Sequence, residues 1–182
     1  MEEALDLCRK GLDLSHPETF NTMLVLVNWY RAAGRLGEEV KLREDLVELR
    51  TKTVGPLNGH TFWAIYSLLG AYRRAGRYDE QLRLAEEIET TIRMHSEQMR
   101  PVDSLDNKRR LAHVYFDLGR REKAIKLREE VLKLKRSLYG PDAFETTLAM
   151  RDVADSYFAE GRRDEAITMH EYVLAQNRKI FG

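Results

Sequence analysis

The sequence is poor in cysteine and proline and contains no long hydrophobic run. Its single cysteine, Cys8, excludes an internal disulfide and a cysteine-rich zinc site, and is expected to be a packing residue. The 4 prolines among 182 residues leave room for long helices. No apolar stretch approaches the roughly 20 residues of a membrane span, and the acidic start Met1-Glu2-Glu3 is unlike a signal peptide. These absences predict a cytoplasmic protein that does not bind a membrane.

The net charge of the chain is zero, and its sequence contains no catalytic motif. The 30 basic and 30 acidic residues cancel, so binding of nucleic acid through bulk charge is not expected. No His-Glu-x-x-His motif, glycine-rich phosphate loop or nucleophile elbow occurs. The five histidines are scattered through turns and helix faces. The sequence therefore predicts that the protein is not an enzyme and holds neither a cofactor nor a metal.

What the sequence does contain is the pattern Tyr-x-x-x-Gly-Arg, four times, at nearly equal spacing. Its glycines are separated by 42, 43 and 42 residues, and a period in this range is typical of a repeat array. Because the tyrosines recur with the period, we expect them to pack between units, with each ring buried and each hydroxyl reaching a partner. The four motifs begin at Tyr30, Tyr72, Tyr115 and Tyr157.

Each repeat is predicted to be a pair of helices. Apolar residues recur at helical spacing, as in Ala124, Leu127, Val131, Leu134 and Leu138. The motif glycine is expected to end the first helix in a left-handed conformation, and an acidic residue then favours the start of the second. Glycine-proline steps close two repeats. We predict first helices at 18–33, 60–75, 103–118 and 144–160, and second helices at 36–53, 78–97, 121–138 and 163–180.

The periodicity also divides the chain. Residues 1–14 match the second helix of a truncated repeat, and four repeats follow at 15–56, 57–98, 99–141 and 142–182, forming one repeat domain. Solenoid ends normally carry polar capping helices, and neither end has one here. The sequence thus predicts a piece of a larger protein. Apolar residues near both ends raise the alternative of structural self-association, end to end.

Together these residues resemble tetratricopeptide repeats, in the longer form found in kinesin light chain. Matching segments are the Thr-Phe starts, the Leu-Ala pairs, the Gly-Arg turns and the closing Leu-Tyr-Gly-Pro-Asp, seen at Thr61-Phe62, Leu111-Ala112, Gly161–Ala166 and 138–142. The resemblance implies an all-α, right-handed superhelical solenoid of antiparallel helix pairs. It also implies that the first helices line a concave groove that binds peptides or protein segments. The asparagine pairs with which that family often clamps a peptide backbone are missing from this chain.

Helical spacing identifies candidate groove side chains on all four first helices. The set comprises Asn28 and Arg31; Trp63, Tyr66, Arg73 and Arg74; Arg109, His113 and Phe116; and Arg151, Asp155 and Phe158. Because guanidinium groups bind carboxylate or phosphate through paired hydrogen bonds, we expect an acidic or phosphorylated segment as the partner. The alternative is that arginine and aspartate simply pair across neighbouring helices, as Arg151 could with Asp106 or Asp155. The sequence thus predicts a non-catalytic scaffold that recruits a protein or peptide.

Overall fold

The computed structural model describes residues 17–181, and side chains from Glu18 to Lys179. Within this range the chain forms eight α-helices and no strand. The predicted half-repeat at residues 1–14 lies outside the described residues. The helices are α1 (Pro17–Ala32), α2 (Leu36–Val54), α3 (Gly59–Arg74), α4 (Tyr78–Met94), α5 (Pro101–Asp117), α6 (Arg121–Tyr139), α7 (Phe144–Ala159) and α8 (Arg163–Phe181). The predicted all-α class is confirmed, whereas the repeat boundaries stay a prediction.

The chain divides into two compact units. The first unit ends at Leu84 and the second begins at Ala85, so the division falls within α4. In the first unit, α2 packs against both α1 and α3. In the second unit, α6 packs against α5 and α7, and α7 packs against α8. These helices therefore pack on those next to them in sequence, as in a repeat array.

The Tyr-x-x-x-Gly-Arg motif ends each first helix by the same hydrogen bonds. After α1, Gly34 N–H donates to the carbonyl of Arg31 at 3.2 Å, and Arg35 N–H donates to that of Tyr30 at 2.9 Å. The other three motifs make equivalent bonds of 2.8–3.2 Å. All four glycines have φ between +70° and +81°, a region that disfavours any side chain. This is the Schellman motif, so the predicted left-handed glycine is confirmed.

In three repeats, the arginine that follows the motif glycine lies over the ring of the motif tyrosine. The guanidinium of Arg35 lies 4.7 Å from the centre of the Tyr30 ring, and the pairs in the second and fourth repeats are 4.8 and 3.6 Å apart. In the third repeat, Lys123 covers the ring of Tyr115 instead, at 4.8 Å. The cation thus makes a cation–π contact that closes the helix end.

Three motif tyrosines also bind the preceding second helix. The hydroxyl of Tyr72 donates to Glu44 at 2.8 Å in the first unit. In the second unit, Tyr115 donates to Glu89 at 2.5 Å, and the fourth motif tyrosine donates to Glu129 at 2.6 Å. Burial and the neighbouring carboxylate raise the pKa of Tyr72 to about 12. Tyr72 and Tyr115 are buried as predicted, whereas Tyr30 and Tyr157 are only half-buried.

The link between α4 and α5 differs from the other links between repeats. Gly55 and Gly140 each accept a hydrogen bond of 2.7 Å from a threonine hydroxyl at the start of the next first helix. No such glycine closes the second repeat. There α4 ends at Met94, three residues earlier than predicted, and α5 begins at Pro101, two residues earlier, because proline is favoured in the first turn of a helix.

Each unit has its own apolar core, formed by the predicted stripes. In the second unit, the third-repeat stripe is buried as far as Val131, while Leu134 is half-buried. Leu138 is 43% exposed, so the prediction that this stripe forms a buried face was wrong for the last turn of α6. The two main clusters contain Phe20, Met23, Leu26, Val27, Leu42, Leu46 and Leu49 in the first unit, and Leu105, Val131, Leu132, Ala149, Met150, Val153 and Val173 in the second.

Candidate functional site

The candidate groove residues lie on the first helix of each pair, and none of them is fully buried. In the first unit, the side chains are carried by α1 and α3; in the second unit, they are carried by α5 and α7. We call these two sets the first-unit and second-unit groove residues. They are Asn28, Arg31, Trp63, Tyr66, Arg73 and Arg74 in the first unit, and Arg109, His113, Phe116, Arg151, Asp155 and Phe158 in the second.

The first-unit groove residues combine an exposed aromatic with arginines that already have partners. Trp63 is 50% exposed, and Tyr66 is half-buried one turn further along α3. Arg31 donates to Asn28 on its own helix at 3.4 Å. Arg74 crosses to α2 and donates to Glu39 at 2.5 Å. Trp63 is therefore the most accessible apolar contact of this set, while Arg74 is held by the protein itself.

Glu39 is a buried carboxylate that the sequence analysis did not identify. Its side chain is 0% exposed, and one oxygen accepts hydrogen bonds from both Arg43, at 3.0 Å, and Arg74. Its other oxygen has no hydrogen-bond partner. Aligning the repeats could have identified this residue, because the equivalent positions of the third and fourth repeats are Ala124 and Ala166. A carboxylate where other repeats have alanine marks a polar contact between α2 and α3.

In the second unit, Arg109 binds an aspartate of its own helix. Its guanidinium donates to Asp106 at 2.8 Å, and Arg110 donates to the other oxygen of the same carboxylate at 2.7 Å. Burial raises the pKa of Asp106, but these two hydrogen bonds outweigh it and leave the pKa below its usual value. Arg109 is thus paired with an aspartate of its own helix, and not across neighbouring helices as the alternative expected.

Beside Arg109 lies a group of polar and aromatic side chains from three helices. Arg128 of α6 donates to the hydroxyl of Ser156 and to the carbonyl of Asp152, at 3.2 Å to the latter, and stacks 5.0 Å from the centre of the Phe116 ring. Burial, and then the charge of Arg128, lower the pKa of His113. His113 is thus neutral at pH 7 and presents an uncharged ring.

Arg151 of α7 remains available for a ligand. It is exposed, and within the described residues it makes no ion pair or side-chain hydrogen bond. The suggested pairing with Asp106 or Asp155 was wrong, because Asp106 is held by α5 and Asp155 contacts His170 at 3.1 Å. Phe158, one turn from Asp155, is 59% exposed. This part of α7 therefore offers a guanidinium and an aromatic ring to solvent.

Between residues 17 and 181 the chain has neither a metal-binding cluster nor a membrane-spanning helix. No cluster of three or more histidine, cysteine, aspartate or glutamate side chains there could hold a metal ion. In the same range, every helix is too short or too polar to cross the hydrocarbon core of a bilayer. What the described residues present is a set of exposed arginine and aromatic side chains on first helices.

Comparison with known proteins identifies the repeat. Residues 103–179 match the sequence model of the tetratricopeptide repeat. The search of curated proteins finds no match. Among solved structures, the chain is similar to TPR-like repeats from a Podosopora anserina protein assigned to the kinesin light chains, with a TM-score of 0.78, 24% identity, and coverage of 99% of this chain and 85% of that one.

Two further structures are similar at lower identity. BtubC (BKLC) from P. vanneervenii aligns with a TM-score of 0.68 and 15% identity, covering 100% of this chain and 72% of that one. MamA aligns with a TM-score of 0.55 and 20% identity, covering 98% and 89% of the two chains. At these identities the likenesses show a shared fold, the all-α fold of tetratricopeptide repeats.

Proposed function

Since residues 103–179 match the tetratricopeptide repeat and the chain has the fold of kinesin-light-chain-type repeats, we propose that it is a non-catalytic protein-interaction module. It acts as a scaffold or partner-recruiting protein in the cytoplasm. Its first helices bind an extended segment of another protein, and the bound segment is acidic or phosphorylated. The observation that carries this proposal is Arg151, an exposed guanidinium with no partner in the described chain, on the same helix as the exposed ring of Phe158.

The second-unit groove residues favour an anionic partner for a further reason. Arg109 donates one hydrogen bond to Asp106, which it shares with Arg110, so this carboxylate leaves other N–H donors of the Arg109 guanidinium unused. Arg109 and Arg151 lie 42 residues apart, at the same position of consecutive repeats. Two guanidinium groups at one repeat spacing suit a segment with acidic groups along its length. Phe116 and Phe158 supply apolar contact area of the kind that dominates interface energies.

We expect the double variant Arg109→Glu/Arg151→Glu to lose the partner that the wild-type protein captures. Reversing both charges places carboxylates against an acidic segment, which weakens binding by roughly tenfold or more. The measurement is a pull-down from a lysate of the source organism, followed by titration of the captured segment. Circular dichroism checks that the helix content is unchanged.

The matched control is Lys126→Glu/Lys133→Glu, which makes the same change of charge on α6. Both lysines are exposed, and neither makes an ion pair within the described chain. This control is expected to capture the partner as the wild type does. Equal capture by the wild type and by the Arg109→Glu/Arg151→Glu variant would contradict the proposed groove.

A second candidate function, self-association, is favoured by the exposed face of the last helix pair. Ile167 and Leu174 are 52% and 51% exposed, whereas their equivalents in the third repeat, Ile125 and Leu132, are 8% and 5% exposed. Leu132 is buried because it lies in one apolar cluster with residues of α7, the first helix of the next repeat. On α8 the same face borders an open groove of about 610 Å³ that includes Phe158.

We expect this face to bring two copies of the chain together in a concentration-dependent manner. The variant Ile167→Glu/Leu174→Glu should shift the association constant by about tenfold or more, because it places charges in an apolar contact. Sedimentation equilibrium over a wide concentration range measures this shift. Tyr139→Glu, a change at a 46% exposed residue of α6, is the control. A wild-type protein that stays monomeric at the highest concentration would exclude the candidate.

A further inference from the structure

A cavity of about 210 Å³ lies within the second unit, away from the groove residues. Its apolar walls are Ile92 of α4, Leu111 of α5 and Leu127 of α6. Its polar lining includes Arg93, near the end of α4, and Lys108 on α5. For comparison, an engineered apolar cavity of about 150 Å³ admits benzene. The cavity is thus large enough for a small organic molecule.

The repeat register explains why the third repeat has this space. Lys108 stands where the other repeats have Met23, Ile65 and Met150. Both methionines are almost fully buried, at 2% and 3% exposure, and belong to the apolar cores of their units. A lysine at this position takes its charged end toward solvent and leaves apolar space beside its stem. The cavity is therefore a feature of this repeat rather than of the fold.

The polar groups around the cavity leave hydrogen-bond donors to spare. Lys108 forms an ion pair with Glu130, which occupies one of its three donors. Arg93 and the hydroxyl of Ser96 make no ion pair or side-chain hydrogen bond within the described residues. The remaining carboxylate, Glu89, already accepts hydrogen bonds from Tyr115 and from a lysine of α6. A ligand in the cavity would thus accept hydrogen bonds from these unused donors while its apolar part contacts the apolar walls.

We propose that this cavity binds a small carboxylic acid with an apolar body, of about the size of benzoate or hexanoate. The carboxylate lies between Arg93 and Lys108 and accepts hydrogen bonds from both cations and from Ser96. The apolar body packs on Leu111 and its neighbours, where the methionine of other repeats would lie. This site is separate from the proposed groove, and its function does not depend on a protein partner.

The experiment is a titration of the whole chain with sodium benzoate, followed by two-dimensional NMR of the backbone amides. We expect saturable shifts at residues 92–96 and 108–111. Lys108→Met, which installs the residue found in two other repeats, should abolish these shifts because it fills the cavity and removes a cation. Arg93→Gln should weaken binding by roughly tenfold, the value of one charge-assisted hydrogen bond to a carboxylate.

Two controls make the outcome decisive. Lys126→Met removes an exposed lysine from the same unit and should leave benzoate binding unchanged. Benzylamine, a cation of similar size, should produce no saturable shifts at the same amides. The proposal is overturned if wild type shows no saturable shifts, if Lys108→Met binds benzoate as wild type does, or if benzylamine binds equally well. Shifts that appear at Arg109 and Arg151 instead would also overturn it.

Discussion

Replacing Tyr115 by alanine is expected to lower the free energy of unfolding by about 3–5 kcal/mol. The ring is 0% exposed, so the substitution opens a cavity in the core of the second unit. It also removes the hydroxyl that donates to Glu89 and the ring beneath Lys123, which leaves a carboxylate and an ammonium group without these contacts. Urea denaturation followed by circular dichroism gives the change.

Two further substitutions separate the contributions to this loss. Tyr115→Phe keeps the ring but removes the hydrogen bond to Glu89, so we expect a loss of about 1 kcal/mol. Tyr139→Ala, at a tyrosine that is 46% exposed, should change stability by less than about 0.5 kcal/mol. If Tyr115→Ala unfolded at the same urea concentration as wild type, the tyrosine would not be the packing residue of the repeat.

The second large effect is expected at the buried carboxylate of the first unit. Glu39→Ala should destabilise the protein by about 3 kcal/mol or more, because it leaves the guanidinium of Arg43, 8% exposed, buried without its ionic partner. Burial already lowers the pKa of Arg43 below its usual value, and the hydrogen bond to Glu39 opposes this shift. The free energy of unfolding, from urea titration, measures the effect.

The double variant Glu39→Ala/Arg43→Met tests this explanation. The buried pair is then replaced by the alanine of the third and fourth repeats and an apolar side chain of similar length, and Arg74, whose side chain is 35% exposed, can turn to solvent. We expect the double variant to regain most of the stability that Glu39→Ala loses, since apolar replacement of a buried ion pair is often neutral or stabilising. A double variant as unstable as Glu39→Ala would show that packing, and not the unpaired guanidinium, causes the loss.

The fold could be predicted from the sequence because the helix-ending signals are local. The hydrogen bonds of the Schellman motif span only Tyr30 to Arg35, and the glycine needs no distant residue to take its positive φ. The same pattern recurs four times, so each repeat supports the helix boundaries predicted for the others. The end of α4 was placed wrongly because no glycine-proline step closes the second repeat, and the next helix begins at Pro101 instead.

The candidate site was harder to predict because the ion pairs of a charged side chain depend on which residues lie near it in the folded chain. Spacing placed Arg74 among the groove candidates, but its guanidinium binds Glu39 on the preceding helix. Spacing also offered Asp155 as a partner for Arg151, whereas Asp155 contacts His170, 15 residues further along the chain. Long, flexible side chains reach several neighbours from one backbone position, so a helical register alone does not decide which neighbour they bind.

Binding of a protein segment by the first helices is the central claim, and amide hydrogen exchange with and without the captured partner tests it most directly. The account predicts that the partner slows exchange in α5 and α7, around Arg109 and Arg151, with less change in α6 and α8. Protection confined to α6 and α8, with α5 and α7 unchanged, would contradict the claim.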